Sequence, residues 1–448
     1  MQLKHITFLA AVAAAAPGSS GAHRPGSPES IKNLKDKIKN VVIMVMENRS
    51  FDNIMGGQTL AGLENPIQTG PYCNPLNISH PDTGNGCTQA LDFDSIIDDP
   101  DHSISGNNLE FYGSFTPDNA AIKAGTLQPD MSGFLTEQIR LYGGKQDEKV
   151  LQTQVINYYT ESQVPVITAL TQNFVVFNHW HSDIPGPTNP NRVALCSGTS
   201  AGKGKNNFKY NTMTQKSIFQ QVTELGMEWK DYLVDTSIQD ARWFKWTYQS
   251  NNTHRIVFMD SFYEDAKKGK LPHLSYINPS CCGDGTNSMH PTGRVSDGEQ
   301  LIKDVYEALR ASPQWNDTLW IITFDETGGF HDHVKPPTAV RPDYKTHDKE
   351  TRAILEAMLT PRLWTLEYRM SALVEDRTGD VVGFVCFKRA AAEISFYERW
   401  ISPTENIEHG AHFISAPFSL LVFLFFSSLC STWAVKAQLG HERHGFGS

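Results

Sequence analysis

Two continuous apolar runs of strand length stop abruptly at acidic residues. VVIMVM at 41–46 runs into Glu47-Asn48-Arg49-Ser50-Phe51-Asp52, and LWIITF at 319–324 runs into Asp325-Glu326. Uninterrupted apolar strands of this kind are buried on both faces, as in a parallel sheet, and such sheets place ligands at the carboxyl edge of their strands. Both strands therefore deliver acids, and the first also an amide, into a crevice. A third strand is expected at 174–177, followed by a loop in which Pro185, Gly186, Pro187 and Pro190 restrict the backbone around Thr188. Between 205 and 279 an amphipathic helix (SIFQQVTELG) alternates with strands (MEWKDYLV, LPHLSYINP). In the stretch from 296 to 315, Leu301, Ile302, Val305, Tyr306 and Leu309 fall on one helical face. Strand, helix and strand in this rhythm predict an α/β fold with a mostly parallel sheet. Residues 57–130 show no sustained periodicity and read as a long, loop-rich insertion, which carries function when it lies over a site.

The ends read differently. MQLKHITFLAAVAAAAPGSSGA has a basic residue, an apolar stretch and small residues, the pattern of a secretory signal over 1–20, followed by a polar leader over 21–38. At the other end, FISAPFSLLVFLFFSSLCSTW at 413–433 approaches the ~20 residues that a bilayer span needs. Three readings stay open for it: a membrane anchor, an altered C-terminus, or a buried core helix. The chain has 448 residues, 40% of them hydrophobic, enough for a sizeable core. Its formal net charge of -10 argues against a general nucleic-acid partner. It does not exclude a phosphate ester, because a metal ion reverses the local field.

Secretion makes the seven cysteines disulfide candidates, with at least one left over. Cys73 and Cys87, bracketing a loop rich in Pro, Asn and Gly, are the first pair to expect. Asn77, Asn251 and Asn316 lie in glycosylation sequons and are expected at the surface, whereas Asn48, also in a sequon, is expected to be buried. After Asp325-Glu326, a glycine pair precedes His331, Asp332 and His333. Adjacent carboxylates with nearby imidazoles suit a divalent metal and a phosphate. The bland alternatives are a polar surface loop here, a helix cap at Asn48 and Ser50, and a proline turn in which Thr188 caps a helix and Arg192 is a surface charge. His102, next to Asp101, is the only histidine in an acidic pair within the insertion.

ENRSFD at 47–52, GPTNPNR at 186–192 and DETGGFHDHVKPP at 325–337 together resemble the signature blocks of the phosphoesterase family, which contains non-specific phospholipases C and secreted acid phosphatases. MHP around His290, the SPQWNDTLWIITFDE block and the LPHLSYINP strand look like it too, so the resemblance covers a domain over 39–337. It implies an alkaline-phosphatase-like α/β/α sandwich with a mostly parallel central sheet. Glu47, Asn48, Asp325 and Glu326 would gather a divalent metal ion, and Thr188 would be the nucleophile of a phosphothreonine route. Asn48, His102, His290 and His333 would serve the phosphoryl oxygens and the leaving group, with the acid among the histidines left open. Arg192 would serve loop structure, and Asp332 would orient a neighbour.

The function implied is secreted phosphoric ester hydrolysis, foremost phospholipase C-type cleavage of glycerophospholipids. Acid phosphatase action on phosphomonoesters is the alternative. Partners would be a phospholipid or a small phosphate ester, no nucleic acid, and a membrane surface contacted through 413–433. Residues 338–448 depart from the family pattern, with Trp400 to Pro403 and Glu408 to Gly410 resembling a displaced remnant. That departure keeps open a third reading, an inactive protein that binds lipid surfaces.

Overall fold

The computed structural model describes residues 28–338, apart from 93 and 96, together with 368–371, 386–389 and 420–427. The expected signal peptide lies outside the described residues. The leader region includes a helix, Pro28–Lys37.

The apolar runs are strands, as the pattern predicts. In chain order they are β1 (Asn40–Met46), β2 (Cys73–Pro75), β3 (Asn85–Cys87), β4 (Val175–His181), β5 (Trp229–Leu233), β6 (Ile256–Phe258), β7 (Leu274–Asn278), β8 (Thr318–Phe324), β9 (Tyr368–Ser371), β10 (Cys386–Arg389) and β11 (Leu420–Ser427). Seven of them form one sheet in the order β4-β11-β8-β1-β7-β5-β6. Every pairing in that sheet is parallel. Parallel neighbours require crossover connections, and flanking helices supply them, giving the expected α/β sandwich. All seven residues of β8 are buried. Trp320 and Trp229 are among the largest fully buried side chains, each worth about 2–3 kcal/mol by the area rule.

The helix Val295–Ala311 buries Leu301, Ile302, Val305 and Leu309, with Tyr306 partly buried, as the spacing predicts. Its Glu299 accepts hydrogen bonds from the Val166 and Ile167 amides at 2.6 and 2.9 Å, fastening it to the start of the helix Pro165–Thr171. The third predicted strand begins one residue later and runs four residues further, through Asn-His-Trp-His to His181.

The insertion is more ordered than its composition suggests. It contains the helices Ile104–Tyr112 and Asn119–Ala124. The first buries Asn107, Asn108 and Glu110 beside Leu109 and Phe111, so no apolar period marks it. Cys73 and Cys87 are register partners in the β2-β3 ribbon and are disulfide-bonded, the expected pair. Cys281 and Cys282 are joined to each other, and Cys196 is a buried free thiol. Asn251 and Asn316 are exposed, Asn77 is half-buried, and Asn48 is buried.

Part of the apolar run at 413–433 is strand rather than the buried helix that was one of its readings. Leu420–Ser427 pairs with β8 on one side and β4 on the other. The rest of the run lies outside the described residues. No helix among the described residues is long and apolar enough to cross a membrane.

Candidate active site

β1 and β8 run side by side with Met46 opposite Phe324, so the next residues, Glu47-Asn48 and Asp325-Glu326, leave the sheet at the same level. All four are buried, at 0, 0, 2 and 2% exposure. Asn48 takes the left-handed backbone conformation (φ 51°), which asparagine tolerates better than most residues. There its amide donates to Asp325 Oδ1 at 3.2 Å. Helix capping falls instead to Ser50, whose hydroxyl accepts from the Asn53 amide and donates to the His331 carbonyl at 2.7 Å.

The glycine pair explains how the loop after β8 closes on this corner. Gly328 (φ +66°) packs so that a Cβ would lie 2.3 Å from the Asn48 carbonyl oxygen, and one on Gly329 (φ +71°) would lie 2.6 Å from that of Asp101. Three segments thus converge: the end of β1, the end of β8, and the insertion loop carrying His102.

Thr188 opens the helix Thr188–Ser197 and is 8% exposed. Asn191 shapes the approach, accepting from the Ile184 amide at 2.9 Å and donating to the Gly186 and Pro187 carbonyls at 2.8 and 3.2 Å. Arg192, one turn after Thr188 on the same helical face, is neither a surface charge nor merely a loop support. It is fully buried and holds three carboxylates. Its Nη2 pairs with Glu47 and donates to the Val45 carbonyl at 2.9 Å. Its Nη1 meets Asp240 at 2.9 Å and Asn278 at 3.0 Å, and its Nε meets Asp325 at 3.2 Å. Burial opposes the guanidinium charge, but Glu47, Asp240 and Asp325 outweigh it and hold the group firmly protonated. Two apolar strands ending in acids imply a buried counter-charge, and that requirement was the available signal for Arg192.

One guanidinium does not neutralise this corner. Burial pushes the Glu47 carboxyl well above its ordinary range, with Arg192 opposing and Asp325 and Glu326 adding to the rise. Glu326 is raised to about 8, again by burial first, with His102 pulling down and Asp325 pushing up. Glu47 Oε2, Asn48 Oδ1 and Glu326 Oε1 are buried without hydrogen-bond partners. Unsatisfied buried oxygens from carboxylates and an amide, in a region short of positive charge, are the donor set of a hard divalent cation. The residues present therefore fit such an ion.

Two of the three singled-out histidines join this group. His102 Nδ1 is bonded to the Pro100 carbonyl at 2.9 Å, which leaves Nε2 at 3.3 Å from the Asn48 side-chain nitrogen and 4.0 Å from Glu326. Burial lowers its pKa, but Glu326 and Asp99 outweigh that and bring it to about 9. His290 stands edge-on to His102 with ring centroids 6.1 Å apart, and its Nε2 lies 4.0 Å from Asp99 Oδ1. A donor atom of His290 also lies within 4.8 Å of one from Glu47. Burial dominates at His290 and lowers its pKa. His333 has other neighbours: its Nδ1 meets both Asp52 oxygens at 2.8 and 3.0 Å, and its ring stacks on Tyr72. Asp332 is 1% exposed and lies in the same group as Asp52 and His333.

A model of the phosphoesterase family matches residues 38–370. The chain belongs to the phosphoesterase family. Among curated relatives, it is 34% identical over 334 residues to non-specific phospholipase C6 of Arabidopsis thaliana, covering 71% of this chain and 57% of that protein. Non-specific phospholipase C4 of the same plant is 32% identical over 312 residues, covering 67% of this chain and 55% of that protein. Phospholipase C A of Mycobacterium tuberculosis is 24% identical over 349 residues, covering 67% and 60%. The chain thus spans just over half the length of the plant relatives it matches. The match begins two residues before β1 and ends within β9, so all three motif blocks of the phosphoesterase chain fall inside it.

Proposed function

We propose that this phosphoesterase hydrolyses phosphoric esters and that its foremost reaction is phospholipase C-type cleavage of glycerophospholipids through a phosphothreonine intermediate. The observation that carries this reading is the helix Thr188–Ser197. It presents a buried hydroxyl at its first residue, while Arg192 in its next turn is locked to Glu47 and Asp325. The names of the relatives support the phospholipase reading over the phosphomonoesterase alternative.

A divalent cation held by Glu47, Asn48, Asp325 and Glu326 would supply positive charge for the phosphoryl oxygens and favour the ionised form of a nearby hydroxyl. The residues perform the rest. Thr188 Oγ1, having released its proton to solvent, attacks phosphorus, forming an O–P bond as the bond from phosphorus to the glycerol oxygen breaks. The amides at the start of the same helix favour anionic oxygens there. His102, protonated beside Glu326 and Asp99, gives its proton to the departing alkoxide. Diacylglycerol leaves. Water then attacks phosphorus, its proton passes to the neutral His102, the phosphothreonine bond breaks, and the phosphorylated head group departs as Thr188 takes back a proton from solvent. His290, kept neutral by burial, faces the same oxygens as an uncharged hydrogen-bonding partner.

Secretion is part of the proposal, supported by the leader pattern and by the Cys73-Cys87 disulfide, which suits an oxidising compartment. Contact with a lipid surface is supported by the exposed apolar side chains Ile67, Ile97 and Phe115 in the insertion that carries His102. The placement of β11 inside the sheet weighs against the inactive reading, since it fills the position between β8 and β4.

Parallel assays on phosphatidylcholine, phosphatidylglycerol and p-nitrophenyl phosphate, with wild type and Thr188→Ala, test the proposal. Turnover is expected to be highest on a phospholipid and to fall by roughly 10³-fold or more in the variant at unchanged far-UV circular dichroism. Preferred turnover of p-nitrophenyl phosphate would transfer the assignment to the phosphatase alternative. Activity surviving Thr188→Ala would place the nucleophile elsewhere.

A further inference from the structure

A second group of donors lies apart from the four oxygen-bearing residues at the ends of β1 and β8. Asp52, in the helix Phe51–Met55, meets His331, Asp332 and His333 from the loop after β8. Asp52, His331 and Asp332 are 1, 3 and 1% exposed, and the His333 side chain is 12% exposed. We propose that Asp52, Asp332 and His333 form a second metal site, of the tetrahedral zinc type with an open fourth position beside His331, that ties the loop after β8 to the helix after β1.

Donor atoms of Asp52, Asp332 and His333 all lie within 4.8 Å of one another. His333 Nδ1 is 2.8 Å from Asp52 Oδ1, 3.0 Å from Asp52 Oδ2 and 3.9 Å from Asp332 Oδ1. His331 Nδ1 is 3.6 Å from Asp52 Oδ2. A tetrahedral ion with bonds of about 2.0–2.1 Å holds its donors roughly 3.3–3.4 Å apart, which these separations bracket. Backbone amides make further contacts: His333 N donates to Asp52 Oδ2 at 2.8 Å and Val334 N to Asp332 Oδ1 at 2.9 Å, and the Asp52 backbone also bonds the Asp332 carboxylate. Such amide contacts orient carboxylates without using all of their lone pairs.

Asp332 Oδ2 and His331 Nδ1 are buried without a hydrogen bond. Buried polar atoms are nearly always paired, so an unsatisfied carboxylate oxygen inside the donor group, with an unsatisfied imidazole nitrogen beside it, points to a missing ligand. Two buried carboxylates also need positive charge, and the His333 imidazole completes a mixed nitrogen and oxygen set that suits zinc better than magnesium or calcium. The rings are held in place from outside: Tyr72 stacks on His333 at 4.6 Å, and Phe134 meets His331 edge-on at 5.2 Å. The competing arrangement is an ion pair between protonated His333 and Asp52 with no metal.

The test uses the full chain stripped with chelator and reloaded with Co²⁺, reading bound equivalents by elemental analysis and geometry by the visible spectrum. Two equivalents are expected, one of them giving the intense bands of tetrahedral Co²⁺. Asp332→Asn and His333→Phe should each remove that band and one equivalent while keeping the other. Glu326→Gln should keep the band and lose the other equivalent. A single equivalent with no tetrahedral band in the wild type overturns the proposal, as does a band that survives in both Asp332→Asn and His333→Phe. Should either variant fail to fold, the wild-type stoichiometry and spectrum decide alone. Neither readout depends on which ester the protein hydrolyses.

Discussion

Replacing Arg192 with alanine should be among the most damaging single changes in the chain. The side chain is fully buried and pairs with Glu47, Asp240 and Asp325, so its removal strands three carboxylates in a site that water does not reach. Breaking a buried ion pair from one side costs about 3–5 kcal/mol. Loss of the donors to the Val45 carbonyl and the Asn278 side chain adds ~1 kcal/mol or more. A total near 5 kcal/mol is a large share of the ~5–15 kcal/mol that stabilises a folded domain. With a urea slope of about 3 kcal/mol per molar, the unfolding midpoint should fall by roughly 1.5 M. Arg192→Lys should lose about half as much, because it keeps the charge but not the fork that reaches Glu47, Asp240 and Asp325 together. Adding Asp240→Asn to the alanine variant should restore part of the loss, since it removes one of the stranded charges. Divalent cations should raise the midpoint of the alanine variant more than that of the wild type, because the ion then no longer shares Glu47 and Asp325 with the guanidinium. A midpoint within ~0.3 M of wild type for Arg192→Ala, about 1 kcal/mol on the same slope, would refute this account of the site.

Three further outcomes follow from the same structure. Gly328→Ala puts a methyl group 2.3 Å from the Asn48 carbonyl at a left-handed φ; it should cost about 2–4 kcal/mol and weaken divalent-cation binding at least tenfold, and wild-type affinity by calorimetry would contradict the convergence described. The Cys73-Cys87 disulfide closes a loop with a sequence separation of 14, so Cys73→Ser with Cys87→Ser should lower stability by roughly 3 kcal/mol; an unchanged urea midpoint would show that the ribbon does not contribute to the cooperative unit. Burial raises Asp183 from 3.8 to about 7, so the folded state favours the protonated acid, and that stabilisation is full below pH 3.8 and lost as pH rises through 7. At ~1.36 kcal/mol per pH unit this amounts to at most about 4 kcal/mol; wild type should therefore lose stability relative to Asp183→Asn between pH 4 and pH 8, and parallel curves for the two proteins would exclude it.

Much of this architecture was legible in the apolar pattern because parallel strands, covered on both faces, cannot hide their composition. β1, β8 and the helix Val295–Ala311 follow from it almost to the residue, and the acids at the strand ends mark the site. The strand-end acids imply a buried cation, but that it is Arg192 was not legible, since a single cation in the helical stretch TNPNRVALCS has no local sign of burial; its environment is set by Glu47, Asp240 and Asp325, each distant in the chain. His102, His290 and His333 could not be told apart for a related reason. What separates them is the neighbour each ring meets, Glu326 and Asp99 in one case and Asp52 in another, and no spacing encodes that. The apolar run containing β11 was ambiguous because a strand buried on both faces and a buried helix have the same composition, and no polar period distinguishes them.

β11 also sets an order of events. β8, which carries Asp325 and Glu326, has β1 on one side and β11 on the other, and β11 follows it by almost a hundred residues of chain. During synthesis from the N-terminus, the strand bearing half of the site is therefore made early and left with an open edge, and its outer neighbour is translated only later. An unpaired parallel edge is the feature that invites association with other chains, and pairing across such a sequence distance is slow. The vulnerable interval for this protein is thus the time between translation of Phe324 and arrival of Leu420, and any factor that shields β8 during that interval should raise the yield of folded chain without touching a residue of the site.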